Sequence, residues 1–191
     1  MKKGLLLLFL LITNLCFAQL ETREQTLSDA ALALTKQQVT YDPSYFSIGY
    51  PNGDVPADKG VCTDVIIRAY RNIGIDLQKL VHEDMKGNFD KYPNNWGLKT
   101  TDKNIDHRRV SNLMSYFERQ GAELPITQNP SDYLPGDVVA WSLGNGLTHI
   151  GIVVDKKSQD RKRYLIVHNI GDGQVIDDVL FAYKIIGHYR Y

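Results

Sequence analysis

The sequence changes its hydrophobic period once, near residue 136, and that change limits the folds open to it. Before it, apolar residues recur at helical spacing. Leu27, Ala30, Ala31 and Leu34 predict a first helix within residues 21–39. Val65, Ile66, Ala69, Tyr70 and Ile73 form the stripe of a second, from about Cys62 to Ile73, stopped by Gly74. Residues 76–88 predict a third helix. Residues 108–121 predict a fourth, with Val110, Leu113, Met114 and Phe117 on one face and Gly121 at its end. Pro43, Pro51, Gly53, Pro56 and Gly60 punctuate a loop with short extended pieces, and residues 94–107 form another. After the change the runs are β-rich: "GDVVAWSL", "THIGIVVD", "RYLIVHNI" and "IIGHYRY". "GNG" between the first two is a tight-turn signal, so they pair as a hairpin. Helices first and strands second predict an α+β fold, with N-terminal helices packed on a C-terminal antiparallel sheet.

The opening "MKKGLLLLFLLITNLCFAQL" has a charged start, an apolar middle and a small-residue cleavage site. It reads as a secretory signal peptide over residues 1–18, cleaved after Ala18, and implies a periplasmic or secreted protein. Its apolar stretch is too short for a bilayer, which needs about 20 residues. The expected mature chain therefore has no integral membrane segment. Leu15 before Cys16 argues against a lipoprotein site. Residues 19–191 suffice for one domain with a proper core. With Lys2 and Lys3 gone, 20 basic residues face 22 acidic ones, a net charge of −2. That balance favours neither nucleic acid nor an anionic membrane surface.

Only Cys62 then remains as a cysteine. An exported domain of this size ordinarily has an even number or none, because the compartment oxidises thiols. A single one is either a buried structural residue, an intermolecular bridge or a reactive thiol. A nucleophile must be a thiolate. The ordinary cysteine pKa of about 8.5 falls to roughly 3.5–7.5 at a helix N-terminus or beside a protonated imidazole. Cys62 begins the second helix, where unpaired backbone N–H groups favour negative charge and a developing oxyanion. Among the five histidines, His149 opens "THIGIVVD" and His168 ends the next β run. If those strands are antiparallel neighbours, the two histidines meet at one rim. That supplies a nucleophile, a base and a group orienting the base.

This order resembles the NlpC-type papain-like cell-wall hydrolases. "GYPNGDVP", "GVCTDVIIRAYRNIGIDLQ", "NIDHRRVSNL", "PGDVVAW", "HIGIVVD", "HNIG" and "GHYRY" are similar to the bacterial domain-of-unknown-function family twelve-eighty-seven, a distant papain-like relative. The resemblance implies a papain-like (NlpC-type) fold with catalytic Cys62, His149 and His168. It also implies a cleft tyrosine about a dozen residues before the cysteine, a place held by Tyr50. The flanks depart from the usual Asp-Cys-Ser: here Val61, Cys62, Thr63 and Asp64 stand in line. The charged insert "KKSQDRKR" widens the gap between the histidines.

Further candidates surround this set. Asn169 is an alternative to His168 as the group that orients His149. Tyr50 and Asp54 are expected to line the cleft. Asp64 either caps the cysteine helix, binds an arginine or faces substrate. In "NIDHRR", Asp106 is an N-cap followed by solvated arginines, or Asp106, His107, Arg108 and Arg109 form a pocket for a substrate carboxylate. Asp155 is a weaker candidate, at the far end of the base strand, and His188 reads as structural. One cysteine with two histidines is also a zinc set, but no pair has C-x-x-C or H-E-x-x-H spacing. Neither metal nor cofactor is expected. The function expected is hydrolysis of an amide bond through a thioester, most simply in the stem peptides of peptidoglycan. The alternatives are acyl transfer or hydrolysis on a lipid or other small amide, and a silent wall-binding module.

Overall fold

The computed structural model describes residues 27–191. The expected leader lies outside the described residues. A first helix, α1, covers residues 27–34 of those described. Its apolar positions Leu27, Ala31 and Leu34 are buried, as their spacing predicts. The Pro- and Gly-punctuated loop that follows is tied by two short parallel strands, β1 (Thr40–Tyr41) and β2 (Lys59–Gly60). Helix α2 (Cys62–Asn72) begins directly after β2 and helix α3 (Leu77–Gly87) after a four-residue link. Gly74 takes a φ of 83° where α2 ends, a left-handed conformation that suits glycine. The Asp76 side chain caps α3 by accepting from the Lys79 N–H at 3.2 Å.

Helix α4 (Val110–Arg119) completes the helical half. Its N-cap is Arg109, without a side-chain cap. Asp106 instead starts a short 3₁₀ turn, Asp106–Arg108, that interrupts the expected loop. The N-cap expectation for Asp106 is therefore corrected: its carboxylate turns back to the Asp102 N–H at 2.8 Å.

The strands form one antiparallel sheet in the order β6-β5-β4-β3-β7. They are β3 (Val138–Gly144), β4 (Leu147–Lys157), β5 (Tyr164–His168), β6 (Val175–Asp177) and β7 (Lys184–Tyr189). The β3–β4 hairpin turns at Gly144, Asn145 and Gly146, all at positive φ. Alternation sorts the sheet residues into two cores. Val138, Ala140, Ile150, Ile152, Val154 and Val167 face the helices, with α2 lying across β4 and β5. Val139, Trp141, Val153 and Ile166 face away and are covered by Tyr133, Leu180 and Ile185. Each fully buried aliphatic or aromatic side chain stabilises by about 1.5–3 kcal/mol, so both faces fix the register of β4 strongly. No helix among the described residues is long and apolar enough to cross a membrane.

Candidate active site

Three elements converge on Cys62. It is the first residue of α2 and only 7 % exposed. The Ile150 backbone N–H of β4 reaches its sulfur, as do the N–H groups of Thr63 and of Cys62 itself. His149 is the residue before Ile150 on the same strand. The loop entering α2 is clamped from β5: Asn169 Nδ2 donates to the Gly60 carbonyl at 3.1 Å. Asn169 is thus engaged with the backbone before the cysteine, while His168 takes the place next to His149.

His149 and His168 meet at the rim the strand order creates. His149 Nε2 and His168 Nδ1 are 2.9 Å apart, with the rings edge to face. Both are buried. Their approach depends on Gly151, which sits between them along the sheet. A Cβ there would lie 2.6 Å from Ile166 Cγ2, 3.0 Å from the Val167 carbonyl oxygen and 3.2 Å from His168 Cβ. Trp141, paired with His149 across β3–β4, stacks on its ring at 5.8 Å and is anchored by an Nε1–H···O bond to Leu180. With Nε2 occupied by His168, Nδ1 is the ring nitrogen of His149 left for another partner.

Burial governs the charges. It pushes the Cys62 thiol up to about 12, against the pull of the Ile150, Thr63 and Cys62 N–H groups and with help from the nearby Asp64 charge. Burial, then the neighbouring His168, pushes His149 down to about 3. His168 is lowered by burial, which outweighs the raising effect of Asp177. Sulfur and imidazole are therefore both neutral in the free protein. The expectation of a low-pKa thiolate fails here because desolvation outweighs the helix N-terminus.

The other candidates form a frame around this centre. Asp64 Oδ2 accepts from the Val61 N–H at 2.7 Å, closing the first turn of α2. Both its oxygens also take a bidentate pair from Arg108, Nε at 2.9 Å and Nη2 at 3.0 Å, with both side chains buried. Arg108 Nη1 donates to the Ser44 carbonyl at 3.1 Å. Arg108 is thus spent on Asp64 and the loop, while Arg109 lies over the Trp96 ring at 3.9 Å. Asp106 pairs with His82 at 3.0 Å. His107 is buried and driven down to about 3 by burial and by Arg108 and Arg71. Asp54 accepts from Arg68 at 3.0 Å and Arg71 at 2.9 Å on α2. The Tyr50 hydroxyl meets Glu83 at 3.4 Å, and its ring packs edge-on to His82. Tyr41, not singled out from the sequence, is the tyrosine whose hydroxyl feels Cys62. Burial, then the Cys62 and Asp64 charges, raises it above the ordinary range. Asp177 was also missed: its Oδ2 lies 3.1 Å from His168 Nε2. His188 is structural, held between Asp137 at 2.7 Å and the Pro125 carbonyl at 3.2 Å. Among the described residues no three His, Cys, Asp or Glu side chains are placed to hold a metal.

The architecture defines the class: a papain-like, NlpC-type α+β fold, with helices on one face of an antiparallel sheet. An N-acetylmuramoyl-L-alanine amidase from Bacteroides uniformis superposes with a TM-score of 0.53 at 12 % identity, covering 88 % of this chain and 98 % of that one. NlpC1 from Trichomonas vaginalis gives a TM-score of 0.45 at 15 % identity, over 86 % of this chain and 44 % of its own. The chain thus spans less than half the length of that NlpC protein. Likeness at such identities bears on fold alone. The family is settled by sequence: residues 28–191 match the domain of unknown function DUF1287, and the chain belongs to that family. The Escherichia coli (strain K12) protein named "Uncharacterized protein YijF" is 52 % identical over 165 residues, 86 % of this chain and 80 % of that protein.

Proposed function

We propose that this protein is an exported cysteine amidase or peptidase acting on an amide bond of peptidoglycan, most simply in a stem peptide. The observation that carries the reading is the hydrogen-bonded pair His149 and His168, with His149 on the strand whose next residue, Ile150, turns its N–H to Cys62 at the start of α2. The leader-like start supports export. The likeness in fold to a protein named as an N-acetylmuramoyl-L-alanine amidase supports the choice of polymer.

Because thiol and imidazole are both neutral, attack is coupled to proton transfer. His149 Nδ1 takes the thiol proton as sulfur bonds to the carbonyl carbon. The tetrahedral oxyanion is met by the Cys62 and Thr63 N–H groups at the start of α2, which lie against the sulfur. The C–N bond breaks as His149 returns the proton to the departing amine, leaving a thioester on Cys62. Water then attacks with His149 as base, and the acid product leaves the restored thiol.

The test is digestion of purified peptidoglycan by the mature protein under reducing conditions, with Cys62→Ala alongside and products read by mass spectrometry. New fragments absent from the variant are expected, and their masses name the bond. Equal fragments from both proteins would remove Cys62 from the chemistry. No fragments from either would leave a wall-binding module or another amide or acyl substrate.

A further inference from the structure

We propose that Asp177 is a positioning residue that fixes the proton order along the His149–His168 pair, making His149 Nδ1 the base. The geometry is a chain of two contacts, His149 Nε2 to His168 Nδ1 at 2.9 Å and His168 Nε2 to Asp177 Oδ2 at 3.1 Å. A neutral imidazole carries one N–H, and a carboxylate only accepts. The hydrogen of His168 therefore sits on Nε2, facing Asp177. Its Nδ1 is then a bare lone pair, so His149 Nε2 must be the donor between the rings. That leaves His149 Nδ1 bare. The opposite order would put hydrogens on His168 Nδ1 and His149 Nδ1. The base would then turn a hydrogen toward the thiol and be unable to take its proton. The role of the chain in catalysis rests on the function proposed above; the proton order does not.

The fold supports the assignment. Asp177 is the last residue of the edge strand β6 and lies across from Ile166, while His168 pairs with Val175. Alternation puts Asp177 and His168 on one face, diagonal to each other. The Asp177 side chain is 50 % exposed, so water solvates its charge, while His168 is buried. The carboxylate thus acts on a buried ring without itself paying full desolvation. When His149 takes up a proton, the positive charge forms in a buried site facing His168, and Asp177 is the anion at the far end of the pair. The neighbouring Asp178 is engaged elsewhere, with Arg163.

The experiment uses the mature protein with ¹⁵N-labelled histidine and compares the parent with Asp177→Ala and Asp177→Asn. In the parent, both His149 and His168 should show a protonated Nε2 and a bare Nδ1. In Asp177→Ala the His168 nitrogens should move toward mixed, averaged tautomers. Asparagine can still present an acceptor to Nε2–H, so Asp177→Asn should keep the parent pattern. On a peptidoglycan substrate, kcat should fall roughly 10–100-fold in Asp177→Ala with KM little changed, and Asp177→Asn should recover most of it. That loss is smaller than the ~10⁴ of a direct orienter, because Asp177 acts at one remove. Unchanged nitrogen signals in a folded Asp177→Ala would overturn the proposal whatever the activity. If the parent has no turnover, the amidase reading fails, yet the nitrogen spectra still decide the role of Asp177.

Discussion

Replacing Gly151 by alanine tests whether close approach of β5 to β4 builds the histidine pair. The added methyl would meet Ile166 Cγ2 at 2.6 Å, where carbon atoms prefer about 3.5–4.0 Å. Ile166 is fully buried and cannot swing aside, and the second contact, at 3.0 Å, is the backbone oxygen of Val167. The strain must move β5 by about 1 Å or distort β4. Overpacking of this kind costs about 1–3 kcal/mol. In a domain of this size that lowers the melting temperature by about 2–4 °C per kcal/mol. His168 moves with β5, since its Cβ is the third contact at 3.2 Å. A 2.9 Å hydrogen bond between the rings does not survive such a shift. Misplacement of about 1 Å is expected to cost ~10²-fold in turnover. Circular-dichroism melts and hydrolysis of peptidoglycan measure the two effects. A Gly151→Ala protein that melts and turns over like its parent would refute the reasoning, because β5 would then be free to give way.

Four further outcomes are expected. Arg108→Met strands the buried Asp64 carboxylate and should cost about 3–5 kcal/mol by urea unfolding, while adding Asp64→Asn should recover much of it; equal losses would show that the pair is not coupled. Asn169→Ala removes one of the two donors to the Gly60 carbonyl, which keeps the Asp42 N–H, and should cost about 0.5–1.5 kcal/mol, with reduced turnover from a looser Cys62; unchanged turnover would detach the clamp from the chemistry. His149 and His107 are held near 3 in the folded chain, below the unfolded histidine value of about 6.5. The unfolded state therefore binds protons first, so stability is full above about pH 6.5 and falls as pH drops toward 3. Urea midpoints from pH 7 to 4 should decline, and His107→Gln should flatten part of the decline; an unaltered slope would contradict the shift at His107. With the thiol at about 12, alkylation by iodoacetamide in the free protein should be slower than in the urea-unfolded chain and keep rising through pH 9. A plateau near neutral pH would mean a resting thiolate instead.

The helices and long strands were legible because their apolar spacing states which face is buried. α2 and α3 lie within a residue of their expected bounds. The meeting of His149 and His168 was legible because consecutive β runs that pair antiparallel bring the start of one to the end of the next. Asp177 was not, because "VID" is a three-residue edge strand without an alternating pattern, and its value depends on the position of β6 next to β5. Tyr41 was hidden likewise in the two-residue strand β1. The Asp64–Arg108 pair was open in sequence, since a charged residue on a helix ordinarily faces water and nothing local says that two charges 44 residues apart will share a dry site. The family tyrosine expectation directed attention to Tyr50, which packs on His82 and α3, while the residue electrostatically coupled to the thiol is Tyr41. The low thiol pKa was misjudged because helix position is visible in sequence and burial is not.

The central claim is a covalent thioester on Cys62. It is tested most directly by quenching the protein in acid during turnover of peptidoglycan fragments and measuring intact mass. The account predicts a mass increase equal to one acyl fragment, mapped to Cys62, removed by hydroxylamine and absent from Cys62→Ala. Fragment release with no adduct on Cys62, and equal release by Cys62→Ala, would contradict it.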